Sequence, residues 1–146
     1  MTPAFSVIMP FYNGDPPTQL AQALQSLVQQ TLRANEIVLI QEGPVSQEHQ
    51  AMVRQWSQKY PEINWLILPK NLGLSGALNE GIKAAKHEWL ARMDADDLCL
   101  DNRFEKQMTE IVANPSLSIL GSWIEEFDEQ MKRSLAIRKL PQSHQA

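Results

Sequence analysis

Two hydrophobic periods alternate along this chain, and that alternation restricts the fold more than any other feature. Phe5-Ser6-Val7-Ile8-Met9 is a short apolar run, stopped by Pro10. The turn formers Phe11 to Pro17 follow. Leu20, Ala23, Leu24, Leu27 and Val28 then fall on one helical face, with Asp15 or Thr18 as cap and Pro16 or Pro17 in the first turn. The pattern recurs. It predicts strands over Glu36–Ile40, Asn64–Leu68 and Glu88–Met93, and a fifth over Leu117–Ile124. It predicts helices with core stripes Met52, Val53, Trp56, Tyr60; Leu74, Ala77, Leu78, Ile82, Ala85; and Phe104, Met108, Ile111, Val112. Asp101 can cap the last of these, and Asn114-Pro115 ends it. Such βα alternation with near-continuous apolar strands implies an α/β, Rossmann-like, mostly parallel sheet with helices on both faces. Its crossovers should be right-handed.

Composition narrows the function classes. Of 146 residues, 43% are apolar and 21% charged, which supports one packed domain. The net charge is −4 and no Lys/Arg-rich run occurs, so a nucleic-acid partner is not expected. A single cysteine, Cys99, excludes an internal disulfide framework and suits an apolar filler. No signal peptide is evident, and apolar runs stop at about five residues, short of the ~20 that span a bilayer. The expected location is cytoplasmic. Residues 1–124 read as the α/β domain and 125–146 as a tail that completes no further unit, so the fold is expected to be incomplete at its C-terminus.

In open α/β sheets, ligands bind beyond the carboxyl ends of the strands. That rule selects Pro10–Asn13, Gln41–Pro44, Pro69–Ser75 and Asp94–Asp97. Neither GxGxxG nor GxxxxGK[ST] occurs in the places a dinucleotide fold or a P-loop needs them. Asp94-Ala95-Asp96-Asp97 crowds three carboxylates into four positions. They repel unless a cation neutralises them, and oxygen donors of this kind suit Mg²⁺ or Mn²⁺. The alternative is a solvated acidic turn. The small residues of Asn71 to Ile82 fit either a helix start that approaches an anion or one packed tightly on the sheet. Asn79 and Gly81 favour the former, since both lower helix propensity without adding to a core. Tyr12 can lie against a base or cover the core edge. Glu42 can accept from a base imide or a ribose hydroxyl, or be a turn residue. His49, His87 and His144 lack metal-ligand spacing and read as surface residues; the four Trp read as core or rim.

Together these residues resemble family 2 glycosyltransferases. Ser6-Val7-Ile8-Met9-Pro10-Phe11-Tyr12-Asn13 looks like the family's first strand. Glu36–Ile40 with an acid after it looks like its second. Asn71-x-Gly73-x-Ser75-x-Ala77-x-Asn79-x-Gly81-Ile82 is similar to its third-strand-to-helix segment. Asp94-Ala95-Asp96-Asp97 resembles its DXD metal motif, with Asn102-Arg103-Phe104 after it. The resemblance covers about residues 5 to 124. It implies a GT-A fold and inverting transfer from a nucleotide-diphosphate sugar, most often a UDP-sugar, with Mn²⁺ or Mg²⁺. It implies a glycan or lipid-linked acceptor and a place at the inner face of the membrane. By position, Pro10 and Tyr12 would line the base pocket and Glu42 would read uracil. Asn71 and Ser75 would join the nucleotide set. Asp94 would meet the ribose or metal region, and Asp96 would bind the metal. The usual Asp-Asp-Gly-Ser is here Gln41-Glu42-Gly43-Pro44, one methylene longer at the acid. The family's catalytic base belongs to an acceptor half, expected beyond Ala146, so the chain alone is expected to bind donor without transferring sugar. The exposed sheet edge predicts pairing with a second copy. A phospho-receiver would want acids directly after the first strand, and a sugar-1-phosphate nucleotidyltransferase a Gly-rich basic loop there; Pro10-Phe11-Tyr12-Asn13 supplies neither.

Overall fold

The computed structural model describes residues 1–128 and 130–142; His144 lies outside them. Contacts divide the chain into two units, Met1–Val112 and Ala113–Ala146. The first carries β1 (Phe5–Phe11), α1 (Pro17–Val28), β2 (Glu36–Glu42), α2 (Gln47–Lys59), β3 (Ile63–Leu68), α3 (Gly73–Ala84), β4 (Trp89–Arg92) and most of α4 (Arg103–Ala113). Its strands form one parallel sheet in the order β3-β2-β1-β4. β1 and β2, in the middle, are buried along their whole length.

Alternation along the strands separates two packed faces. Ile8, Val38 and Ile40 point toward α3 and cluster with Leu68 and Ala77. On the other face, Phe5 meets Phe104 of α4 edge-on at 5.0 Å, and Phe11 stacks on His49 of α2 at 6.2 Å.

β1 does not stop at Pro10 but runs through it to Phe11. The reason lies in the register. Met93 N donates to Ile8 O, so Ile8 directs its polar groups toward β4. Pro10, two residues on, faces the same side, past the last β1–β4 pair at Ile8 and Arg92. A missing N–H costs nothing where no partner strand remains.

α3 meets the sheet with only part of the expected stripe: Ala77 is buried and Leu78 and Ala85 pack beside it, but the two largest flanking members do not. Leu74 and Ile82 are 48% and 50% exposed, while Ala77 and Gly81 are buried. A Cβ on Gly81 would lie 2.4 Å from Ile40 Cδ1. Small residues therefore choose the buried face, because they let helix and sheet approach closely. Gly81 thus serves packing, contrary to the sequence expectation. Val112 is likewise exposed, and so is Trp123, which joins no core. The α4 cap falls at Asn102 rather than Asp101: Asn102 O accepts from Lys106 N.

At the amino end of β2, Glu36 is 3% exposed and accepts from Ser6 Oγ at 2.8 Å and from Lys86 N at 2.9 Å. Lys86 Nζ lies 3.3 Å away and Asn64 Nδ2 3.5 Å. Burial pushes this carboxyl up, but the bonds from Lys86 and Ser6 outweigh it and leave the acid below its ordinary value.

In the second unit, β5 (Ile124–Phe127) pairs antiparallel with β6 (Ser134–Arg138). No strand forms over 117–123, so the expected fifth parallel strand is absent among the described residues. Alternating apolar residues there meet the pattern of a strand, but a strand also needs a partner, and pairing is non-local.

Candidate functional site

Strand order reverses at β1, which has β2 on one side and β4 on the other. A cleft of about 420 Å³ opens there, at the carboxyl ends of the strands. Its first wall is Pro10, Tyr12 and Asp15, with Glu42 from β2. Asn71, Gly73 and Leu74 come from the start of α3. Arg92, Asp94, Ala95 and Asp96 follow from β4. The fold thus brings together Pro10, Tyr12, Glu42, Asn71, Asp94 and Asp96. Ser75 is exposed on the first turn of α3 and does not line the cleft.

The Tyr12–Asp15 turn is closed twice. Tyr12 N donates to Asp15 Oδ2 at 2.9 Å, and Asp15 N donates to Tyr12 O at 3.1 Å. Gly14 leaves room for the tyrosine ring, which a Cβ would meet at 2.4 Å. His49 braces the turn from below. It is 3% exposed, which overturns the expectation of a surface residue. Its Nε2 lies 2.7 Å from Asp15 O and its Nδ1 2.7 Å from Ser46 Oγ. A carbonyl can only accept, so Nε2 carries the proton and, in the neutral ring, Nδ1 accepts from the serine hydroxyl. Ser46 N donates to Asn13 Oδ1 at 2.9 Å, tying the same turn to the cap of α2.

Glu42 is 8% exposed, and its carboxylate has no hydrogen-bond partner among the described residues. Burial, then the nearby Asp15 charge, raises its pKa. Gly43 follows with φ +76°, a conformation glycine accepts readily. A Cβ there would also lie 2.8 Å from Asn71 N. Glycine at this point lets the α3 entry loop lie against the end of β2. Asn71 Oδ1 accepts from Gly73 N at 2.7 Å, and no side chain caps the helix. Gly73 N is therefore taken by Asn71, and the amides that follow it in the first turn of α3 are left without side-chain partners beside the cleft, the arrangement that favours anions.

The acidic loop turns at Asp94, whose carbonyl accepts from Asp97 N at 3.3 Å. Asp94 Oδ1 accepts from Arg92 Nη2 at 2.5 Å. Burial, then Asp96 and Asp94, raise the pKa of Asp97 against the pull of Arg92 and Arg103. Asp15 is also raised, by burial first, despite its bond from Tyr12 N. Arg103 locks the base of the loop: Nη2 donates to Arg92 O at 3.0 Å, and Nη1 reaches Cys99 Sγ at 3.1 Å. Cys99 is buried, with its thiol pKa raised chiefly by burial, and fills space as expected.

No three His, Cys, Asp or Glu side chains form a ready ion cage among the described residues. Mg²⁺ takes only one or two protein carboxylates and completes its shell with phosphate and water. Asp94 and Asp96, oxygen donors open to the cleft, fit that requirement. The sequence reading missed Asp15, Arg92 and Leu74 as lining residues. Two had a local signal: Asp15 stands three positions after Tyr12 in one turn, and Arg92 shares the strand face of Asp94, two residues on.

A parallel α/β unit with this strand order and its cleft at the switch point has the Rossmann-like architecture of GT-A glycosyltransferases. Solved structures agree on the fold. Staphylococcus aureus TarS superposes with TM-score 0.66 at 23% identity, over 77% of this chain and 20% of that one. A Pyrobaculum calidifontis mannosyltransferase, solved with GDP-Man and Mn²⁺, gives 0.59 at 23%, over 67% and 29%. The chain belongs to glycosyl transferase family 2, whose profile matches residues 6–145. It is 44% identical over 140 residues to the amylovoran biosynthesis glycosyltransferase AmsE of Erwinia amylovora, covering 96% of this chain and 52% of that protein. It is 37% identical over 140 residues to an Escherichia coli UDP-Gal:alpha-D-GlcNAc-diphosphoundecaprenol beta-1,3-galactosyltransferase, covering 96% and 50%. The chain thus spans about half the length of these relatives. No helix among the described residues is long and apolar enough to cross a membrane.

Proposed function

We propose that this chain binds the donor, a UDP-sugar with Mn²⁺ or Mg²⁺, for transfer to a glycan or lipid-linked acceptor. The observation that carries the reading is one cleft with Tyr12 and Glu42 on one wall and Asp94 and Asp96 on the other. The half-exposed Tyr12 ring offers a flat face to a base. Glu42, unpaired, can accept from the imide N–H of uracil. The start of α3 lies where a diphosphate would follow the ribose. Asp94 and Asp96 would hold the metal, which supplies positive charge to the leaving diphosphate. Two names support the substrate classes: the Escherichia coli relative uses UDP-Gal and a diphosphoundecaprenol acceptor. The Pyrobaculum calidifontis neighbour carries GDP-Man and Mn²⁺. A membrane surface bearing the acceptor, and a second copy of the chain, complete the proposed partners.

Calorimetric titration with UDP, GDP and their sugars, with and without Mn²⁺, tests this. UDP binding should require the metal and exceed GDP binding. Asp96→Ala should weaken it at least about tenfold, the loss of one charged ligand. Equal UDP and Mn²⁺ binding by Asp96→Ala and the parent would overturn the metal assignment.

A further inference from the structure

We propose that Arg92 is an exchangeable counter-ion: it neutralises Asp94 while the cleft holds no metal, and turns to the donor diphosphate once a metal ion takes Asp94. This rests on the donor-site reading above. Among the described residues that line the cleft, Arg92 is the one cation, facing the acids Asp15, Glu42, Asp94 and Asp96. A diphosphate cannot enter such a field unless positive charge is brought in or redirected. A metal brings it in; Arg92 can be redirected.

The geometry separates what is fixed in Arg92 from what is free. Its backbone is held on both sides. It pairs with Ile8 at the end of β4, its carbonyl accepts from Arg103 Nη2 at 3.0 Å, and the next amide, Met93 N, donates to Ile8 O at 3.1 Å. Its side chain is half exposed, and Asp94 Oδ1, at 2.5 Å, is its ion-pair partner. So exposed a pair adds little stability and is readily exchanged. The guanidinium fork also matches phosphate oxygens better than it matches one carboxylate oxygen. Arg92 and a metal therefore compete for Asp94, while Arg92 and the metal cooperate on the diphosphate.

Those two relations give opposite signs in one variant, Arg92→Gln. Mn²⁺ alone, followed by the electron paramagnetic resonance of the free ion, should bind about three- to tenfold tighter than to the parent. UDP in the presence of saturating Mn²⁺ should bind about tenfold weaker, as befits one charge-assisted contact. Arg92→Lys retains the charge and guards against misfolding of the first variant. It should leave Mn²⁺ affinity near the parent's and recover UDP binding only in part, because an ammonium lacks the fork. Unchanged or weaker Mn²⁺ binding in Arg92→Gln, or undiminished UDP binding, overturns the proposal. A parent that binds no UDP with Mn²⁺ present brings down the donor-site reading and this proposal together. A parent that binds UDP beside an equally competent Arg92→Gln overturns Arg92's part alone.

Discussion

β2 carries a buried glutamate at each end, and the two are in opposite states. Glu36, at the amino end, is ringed by donors from β1, β3 and the segment before β4. Glu42, at the carboxyl end, has no hydrogen-bonding partner for its carboxylate among the described residues and an acid, Asp15, nearby. Burial raises the pKa of both; hydrogen bonds reverse the effect at one end only. The same residue type on the same strand thus holds the sheet together at one end and stays available for a ligand at the other. A buried acid without a partner signals function more clearly than a buried acid with several.

The sharpest way to break this comparison is to remove each acid. Glu36→Ala strands the Ser6 hydroxyl and the Lys86 amide, while the exposed Lys86 ammonium simply returns to water. Stability should fall by about 2–3 kcal/mol, read from denaturant unfolding. An unchanged midpoint would mean the donors find water instead. Gly43→Ala tests the open end by way of its backbone. The left-handed conformation and the contact with Asn71 N should together cost about 2 kcal/mol. UDP binding should fall as well, because the α3 entry loop must shift. Glu42→Ala should lower UDP affinity by about 1 kcal/mol while leaving Mn²⁺ binding intact. Equal UDP affinity would remove Glu42 from the pocket.

The smallest effect concerns pH. Glu42 has a raised folded pKa, so its contribution to stability is full below the ordinary glutamate value and is lost as pH rises through the folded one. Glu42→Gln should therefore match the parent near pH 4 and exceed it slightly at pH 7. Glu36 runs the other way: its lowered pKa gives stability that is present at neutral pH and lost as pH falls through the folded value. Glu36→Gln should be less stable than the parent at pH 7 and converge with it in acid. Curves of the same sign for the two variants would refute the contrast.

Much of this was legible in the sequence because it depends on local period and chain order. The helices, the four parallel strands and the cleft acids Glu42, Asp94 and Asp96 all follow from runs, turns and the rule of carboxyl ends. What escaped depends on contacts between distant residues. His49 reads as a polar helix residue until Asp15 O is brought to its ring. Glu36 reads as the first residue of a strand until Ser6 and Lys86 converge on it. Leu74 and Ile82 outrank Ala77 and Gly81 in size, yet closeness of approach, not size, chooses the buried face of α3. The run over 117–123 has the period of a strand but forms none among the described residues.

The acidic loop has a short tether. Met93 N is bonded to Ile8 O, and Cys99 N to Ser26 Oγ, so only residues 94–98 lie between fixed points. The turn from Asp97 N to Asp94 O shortens that span further. Fixing a free residue's backbone opposes association by about 1–2 kcal/mol. For a loop of this length most of that loss occurs when the protein folds, not when a ligand arrives. In the proposed metal site, Asp94 and Asp96 would therefore meet an incoming ion with little backbone freedom left to surrender, and affinity there would be set by charge rather than by ordering.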